Sequence, residues 1–278
     1  MATVVSRIKQ IKQPYGGYVP LTMFEEIKFD DEIILNDNET IHASIVGMAV
    51  DYLTRFIINN NAEEAFHISI IGAKSKDKIM GSNGKCLKEA YKYLKKVCGL
   101  DDESITNAVK LAKFDIWHRN PFAALQTNDT NEPSSETIEN IRILVNRTIN
   151  ALKKFGTITK YGFTFEPPNK ESLQEDFLKI LRIKPFGGYT RTVSTGDGDY
   201  LTQDTLWDLK VSKTKPRSND TLQILMYWIM GQHSGQDIFK DITKIGLFNP
   251  RLNTVYHLEV SKIPKKVIEA VEKDVICY

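Results

Sequence analysis

The sequence predicts an α/β protein in two parts: a mainly helical N-terminal region, residues 1–132, and a C-terminal region, residues 133–278, that mixes strands and helices. Three observations predict this class. Helical apolar spacing runs through the first part, a polar and turn-rich stretch covers residues 127–135, and after Tyr189 the pattern changes to strand, hairpin, helix, strand, strand and helix. The composition, 41% hydrophobic and 26% charged, is that of a globular protein.

Four helices are predicted up to Gly156. Residues 41–58 are densely apolar and predict a mostly buried helix, and residues 85–98 repeat apolar side chains at steps of three and four. Similar spacing predicts helices over 103–117 and over 135–155, and Gly156 stands where the last of these should end.

The C-terminal elements follow in order. Alternation predicts a strand over 158–166, and a short helix is predicted over 171–182, before the Gly187-Gly188 pair. A hairpin follows, then an apolar helix over 220–231 and two strands over 242–248 and 254–260. A final helix is predicted over 264–273, since Pro264 suits the first turn of a helix.

The bulk properties exclude several classes. A net charge of +2 excludes a strongly basic, histone-like surface but leaves room for a local basic groove. The three cysteines (Cys86, Cys98 and Cys277) match no metal motif and favour reduced thiols. The sequence begins without a secretory signal and has no apolar run of membrane-spanning length, so we expect a cytoplasmic protein without a membrane partner. The sequence has no glycine-rich phosphate-binding motif before a predicted helix, so it does not support an NTPase.

The hairpin carries the densest chemical information. Pairing outwards from a two-residue turn at Gln203-Asp204 places Leu201 opposite Leu206 and Asp199 directly opposite Asp208. Side chains alternate along a strand, so Lys210 shares the face of Asp208, and Asp197 shares that of Asp199. Two acids and a lysine on one face suit a hard divalent cation beside a phosphate.

An acid-x-lysine tripeptide has little weight alone, since about three or four are expected by chance in a chain of this composition. Glu26-Ile27-Lys28 is one such match. Asp208 and Lys210 differ because they interrupt an otherwise apolar strand (Leu206, Trp207, Leu209 and Val211). Burying such charges without a metal or another partner would be costly, so this context favours a functional pair.

An ordered series of motifs extends from this hairpin: Gly196-x-x-Asp199, the turn, Asp208-x-Lys210, and a helix bearing Gln223-x-x-x-Tyr227. This series resembles the PD-(D/E)XK nuclease superfamily, and most closely its RecB-like and Cas4-like branch. The resemblance covers about residues 189–260. It implies a restriction-endonuclease-like mixed sheet flanked by helices, with Gln223 and Tyr227 on one helix face bracing the site or touching the substrate backbone.

The resemblance also implies the metal chemistry. Asp199 and Asp208 would bind Mg²⁺ or Mn²⁺, and the backbone carbonyl of Leu209 would be a further ligand. Lys210 would position or polarise the attacking water and stabilise charge on the phosphate. Oxygen ligands suit Mg²⁺, which keeps several of its waters.

Two ligand positions stay open. The interval from Asp199 to Asp208 is shorter than in many members of the superfamily, so Asp197 is the alternative first acid. The glutamate or histidine that relatives supply from an upstream helix is not fixed, and His42, Glu166 and Glu175 are the candidates.

The sequence therefore predicts a metal-dependent nuclease that hydrolyses phosphodiester bonds, with DNA favoured over RNA because the resembled branch mostly cuts DNA. Lys213, Lys215 and Arg217 follow the predicted active strand and are candidates for contacts with phosphates. The alternatives are a catalytically inactive nuclease-fold protein that binds nucleic acid or another partner, and a purely structural α/β protein. A homo-oligomer is compatible with the sequence.

Overall fold

The computed structural model describes residues 2–126, 130–168 and 187–278. In chain order the helices are α1 (Val4–Gln10), α2 (Ala43–Asn59), α3 (Ala62–Ala65), α4 (His67–Met80), α5 (Lys85–Leu94), α6 (Asp102–Ala112), α7 (Asp115–Arg119), α8 (Pro121–Gln126), α9 (Ser135–Lys154), α10 (Ser218–Ser234) and α11 (Lys265–Ala270). The strands are β1 (Ala2–Thr3), β2 (Glu25–Lys28), β3 (Lys160–Phe163), β4 (Val193–Thr195), β5 (Gly198–Leu201), β6 (Thr205–Leu209), β7 (Lys244–Asn249) and β8 (Thr254–Glu259).

The chain divides into two compact units. Asp30–Asn150 forms a helical unit, and the first 29 residues join 151–278 in an α/β unit. This division differs from the predicted boundary at residue 132 in two ways: residues 133–150, which include most of α9, belong to the helical unit, and α1, β1 and β2 belong with the C-terminal strands. Within the described ranges, no helix is both long and apolar enough to span a membrane.

The α/β unit is built on a mixed six-stranded sheet in the order β2-β8-β7-β6-β5-β3. Neighbouring strands are antiparallel except for β6 and β7, which are parallel. A parallel pair needs a crossover connection, and α10 lies in the segment that connects β6 to β7. The predicted mixed α/β class is therefore confirmed, with the hairpin strands β5 and β6 inside the sheet.

The core of this unit fixes the position of β6. The side chains of Leu206, Leu222 and Leu225 are completely buried in one apolar cluster that joins β6 to α10. On β7, Gly246 admits the indole of Trp207, because a Cβ at this glycine would lie 2.3 Å from the Trp207 ring. Close packing on both sides of β6 limits where its polar side chains can project.

The helical unit holds a buried polar cluster of its own. Asp115 at the start of α7 is completely buried and accepts hydrogen bonds from the hydroxyls of Ser69 (2.6 Å) and Tyr52. Burial raises the pKa of the Asp115 carboxyl despite these donors. The cluster ties α2, α4 and α7 together within this unit.

Most predicted elements are present, with shifted ends. The structure confirms helices where 41–58, 85–98, 135–155 and 220–231 were predicted, and strands where 158–166, 242–248 and 254–260 were predicted. The helix predicted over 103–117 is two helices, α6 and α7, and the last predicted helix continues as a π-helix over Val271–Ile276. The helix predicted over 171–182 lies outside the described residues.

Candidate functional site

The hairpin has the register that the sequence predicts. Leu201 pairs with Leu206, and Tyr200 pairs with Trp207. The Thr202 amide donates to the Thr205 carbonyl oxygen at 3.0 Å, which closes the turn at Gln203-Asp204. The paired residues end at Tyr200 and Trp207, and Asp199 and Asp208 are the next residues of the two strands.

The two carboxylates are held in different ways. Asp208 is only 3% exposed, and its Oδ2 lies 2.8 Å from Nζ of Lys210. Asp199 is half-buried, and its Oδ2 accepts a hydrogen bond of 2.7 Å from the Leu209 amide. Asp199 is thereby fixed to the strand that carries Asp208, which gives the pair a defined geometry.

Lys210 is the cation at the centre of the site. Its amide donates to the Phe248 carbonyl oxygen at 2.8 Å, which continues the pairing of β6 with β7 beyond the last residue of the strand. Burial lowers the pKa of its ammonium group, but the charges of Asp208 and Asp220 outweigh this effect and raise the pKa above its usual value. Lys210 is therefore charged at neutral pH, and it can stabilise negative charge but cannot act as a general base there.

Gln223 connects the strand to the helix. Its Oε1 accepts a hydrogen bond of 2.9 Å from the Lys210 ammonium, while its Nε2 donates to Tyr227 OH at 2.9 Å and to Asp208 Oδ1 at 3.4 Å. Burial raises the pKa of the Tyr227 phenol well above its usual value, and the nearby charge of Asp208 adds to this shift. Of the two helix residues predicted from their four-residue spacing, Gln223 thus contacts the predicted acid and lysine directly, and Tyr227 contacts Gln223.

Asp220 is a site residue that the sequence analysis missed. One of its carboxylate oxygens accepts a hydrogen bond of 2.7 Å from the Arg217 amide at the start of α10, and the other lies 3.7 Å from Nζ of Lys210. The signal was available, because Asp220 precedes Gln223 by three residues and therefore shares its helix face.

A basic cavity of about 260 Å³ lies next to Lys210. Lys215, Arg217 and Asp220 line it together with Lys210. Of the three predicted phosphate contacts, Lys215 and Arg217 lie at this cavity, with Lys215 held by Glu26 at 2.7 Å, while exposed Lys213 is not among the lining residues. The cavity can take an anion beside the lysine of the site.

The alternative first acid, Asp197, is exposed and directly precedes β5. Its charge helps to raise the pKa of Tyr227, and burial together with the charges of Asp197 and Glu166 raises the pKa of Tyr189 to about 12. Tyr189 donates a hydrogen bond of 2.8 Å to the Gly196 carbonyl oxygen. Asp197 and Glu166 therefore lie close to the same tyrosine, and both stay candidates for a metal ligand.

Two candidates for the upstream ligand remain, His42 and Glu175. His42 belongs to the helical unit, where its Nδ1 accepts a hydrogen bond of 3.2 Å from the Ser44 amide and caps α2. Its assignment as a metal ligand stays a prediction. Glu175 lies outside the described residues.

The donor set fits a hard divalent cation. In the described part of the chain, no group of three or more His, Cys, Asp or Glu side chains is arranged to hold a metal ion. Mg²⁺ needs fewer, since it is commonly held by one or two carboxylates together with waters and substrate phosphates. Asp199 and Asp208, on adjacent strands beside a basic cavity, supply that set.

Comparison with known proteins adds nothing to this geometry: no family model, curated protein or solved structure matches the chain. A function for the site must therefore be argued from the site's own residues.

Proposed function

We propose that the protein is a metal-dependent nuclease that hydrolyses phosphodiester bonds, with DNA as its substrate in preference to RNA. One observation carries the proposal: the buried Asp208 carboxylate lies 2.8 Å from a charged lysine that lines a basic cavity, and a second carboxylate, Asp199, is held on the neighbouring strand by the Leu209 amide. Such a set matches the needs of phosphoryl transfer, which are mainly positioning and charge stabilisation. Cytoplasmic location is part of the same proposal.

The topology supports a restriction-endonuclease-like core. The antiparallel strands β3, β5 and β6 lie side by side, and the connection through α10 leads to β7, which is parallel to β6. The predicted acids and lysine lie on β5 and at the end of β6, and the glutamine and tyrosine lie on α10. This order is the one on which the resemblance to PD-(D/E)XK nucleases was based.

Asp199 and Asp208 would hold Mg²⁺ or Mn²⁺, with the Leu209 carbonyl as a further ligand. Asp197 is the alternative to Asp199. When bound, the divalent ion supplies Lewis-acid chemistry that activates water for attack on phosphorus.

The chain's own residues perform the remaining tasks. Lys210 keeps its positive charge at neutral pH and stabilises the negative charge that develops on the phosphate. Gln223 orients the ammonium group of Lys210 through a 2.9 Å hydrogen bond. Lys215 and Arg217 offer cationic groups to the phosphates that flank the scissile one, from the wall of the adjoining cavity.

One observation favours the inactive alternative. Lys210 forms an ion pair with Asp208, so this carboxylate has a partner also in a nuclease-fold protein that only binds nucleic acid. The two functions differ in metal binding: the inactive protein should take up no Mn²⁺ in a manner that depends on Asp199 and Asp208.

The test is a cleavage assay with single-stranded and double-stranded DNA and RNA, in Mg²⁺ or Mn²⁺ and in EDTA. We expect metal-dependent cleavage that Asp208→Asn and Lys210→Met each abolish. The matched control is Asp204→Asn, because Asp204 forms a 2.7 Å ion pair with Lys244 in the same sheet, at the turn end of the hairpin. The control should cleave like the wild type.

Cleavage that continues unchanged in both site variants would contradict the proposal. An equal loss in Asp204→Asn would also contradict it, since that result would trace the activity to the hairpin's stability rather than to its acids. Failure to cleave any substrate, with no Mn²⁺ bound, would favour the inactive alternative.

A further inference from the structure

The helical unit carries a strongly basic segment that the proposed site does not use. Residues 74–96, which include the second half of α4 and all of α5, contain eight lysines and two acidic residues. Both acids have other partners: Asp77 accepts hydrogen bonds from the Ser82 hydroxyl and two backbone amides of α5, and Glu89 accepts one from the Tyr93 hydroxyl. The lysines of this segment therefore outnumber its acidic residues, and the segment carries an excess of positive charge.

The lysines of α5 share one face. On the opposite face of the helix, Cys86, Ala90 and Leu94 are buried. The outer face carries four exposed lysines at steps of three, four and three residues: Lys85, Lys88, Lys92 and Lys95. At 1.5 Å per residue this lysine face extends over roughly 15 Å, a length that can meet several phosphates of one strand.

These lysines are available for a ligand. Lys96, just beyond α5, is paired with Glu103 at 2.6 Å. By contrast, Lys88, Lys92 and Lys95 have no ion-pair partner among the described residues. A row of like charges at helical spacing is mildly destabilising by itself, so a polyanionic ligand would relieve a repulsion that the fold retains.

An aromatic ring lies beside the lysine face. Tyr91 is 36% exposed, and with Leu87 it lines a shallow cavity of about 410 Å³ that is also bordered by Lys88, Lys92 and Lys95. The Tyr91 hydroxyl donates to Glu63 at 3.3 Å, which limits where the ring can lie. A basic groove with an exposed aromatic ring is the arrangement that binds single-stranded nucleic acid, because phosphates contact the lysines while a base stacks on the ring.

The surface is held firmly. The Asp77 carboxylate accepts hydrogen bonds of 2.9 Å from the Cys86 and Leu87 amides, so α4 is hydrogen-bonded to the first turn of α5. These donors outweigh partial burial and lower the pKa of Asp77 to about 2, which keeps it ionised. The lysine face is thus presented by a fixed helical hairpin rather than by a loop.

We infer that the lysine face of α5, with Tyr91, binds a strand of single-stranded nucleic acid. The choice of nucleic acid over another polyanion rests on the proposed nuclease function. An acidic protein segment or an anionic membrane would use the lysines without needing the ring, so these occupants are outcomes of the test.

The test measures binding in EDTA, where cleavage cannot occur, with a fluorescent single-stranded DNA at a series of salt concentrations. The variant replaces Lys88, Lys92 and Lys95 with Gln. Each lost phosphate contact should lower the slope of log K against log salt by about 0.7, so the slope should fall by about 2. Circular dichroism confirms that the variant is folded.

The control variant makes the same change in net charge elsewhere. It carries Gln at three exposed lysines of the α/β unit: Lys9, Lys12 and Lys266. Its salt slope should equal that of the wild type, which separates the local surface from overall charge.

A second pair of variants tests the ring. Tyr91→Ala should weaken binding of single-stranded DNA about tenfold, since stacking of one base contributes about that much, and should leave duplex binding unchanged. Tyr15→Ala is the control, because Tyr15 is fully exposed in the α/β unit. An effect of Tyr91→Ala on the duplex alone would overturn the inference.

An unchanged salt slope in the α5 lysine variant would also overturn the inference. So would binding to vesicles of anionic lipid, but not to DNA, that depends on the same lysines. Failure of the proposed binding surface is distinguishable from failure of the nuclease proposal. Asp208-dependent cleavage with an unchanged slope rejects only the surface, and a fallen slope without any cleavage rejects only the catalysis.

Discussion

Lys210→Met removes the cation that neutralises buried Asp208 and nearly preserves the length of the side chain. The Asp208 side chain is 4% exposed and that of Lys210 is 20% exposed, so the pair is largely shielded from solvent. Breaking a buried pair from one side costs about 3–5 kcal/mol. We expect about 3 kcal/mol, the lower end of that range, because Gln223 still donates to Asp208 at 3.4 Å.

The double variant Asp208→Asn/Lys210→Met supplies the reference. It removes both charges together, and replacement of a buried pair by neutral groups is often close to neutral in stability. The double variant should therefore be more stable than Lys210→Met alone, with a coupling energy of about 2 kcal/mol between the two positions.

Urea unfolding monitored by tryptophan fluorescence measures these free energies. Trp117 belongs to the helical unit, so a Trp117→Phe background leaves a signal from Trp207 and Trp228 of the α/β unit. Lys210→Met within about 0.5 kcal/mol of the background would refute the reasoning, since only exposed residues behave in that way. If the loss of unfolding free energy in the double variant equals the sum of the losses in the two single variants, the direct contact between the two charges is refuted.

Three further predictions concern residues around these charges. Asp220→Asn should bring the pKa of Lys210 down toward its usual value, as measured by NMR titration of the ammonium group, because the Asp220 charge helps to raise it. It should also lower the cleavage rate about tenfold, or about 1.4 kcal/mol, through poorer positioning of the lysine. Gln223→Leu should destabilise the protein by about 1–3 kcal/mol in urea, because buried polar partners lose their hydrogen bonds. Asp77 has a pKa lowered to about 2 from 3.8, so its contribution to stability is present above pH 3.8 and is lost as the pH falls toward 2. Thermal unfolding from pH 5 to 2 should therefore show a smaller loss in Asp77→Asn than in the wild type.

The hairpin could be predicted because short-range rules fix it. A two-residue turn leaves only one pairing that keeps Leu201 and Leu206 in the core, and a shift by one residue would expose both. The same local geometry placed Gln223 and Tyr227 on one helix face. Site residues that follow from strand alternation or helical spacing are thus readable from the sequence.

Long-range contacts could not be predicted in this way. Helical spacing places Asp220 on the face of Gln223, but its distance of 3.7 Å from the Lys210 ammonium depends on how α10 packs against β6, which no local pattern specifies. Strand β2 was missed because Glu25–Lys28 is mostly charged and forms an edge of the sheet, where burial imposes no alternation. The assignment of the first 29 residues to the α/β unit was missed for the same reason, since β2 joins the sheet by pairing with distant β8.

Anomalous diffraction from a crystal soaked in Mn²⁺ tests the proposed metal site most directly. We predict one strong peak within bonding distance of carboxylate oxygens from both Asp199 and Asp208, and no such peak in Asp208→Asn. A peak bound by Asp197 and Asp208 would change the first ligand and keep the site. A wild-type crystal with Mn²⁺ bound only elsewhere, or with Nζ of Lys210 still on Asp208 and no ion beside it, would contradict the assignment of these residues to a metal-dependent nuclease.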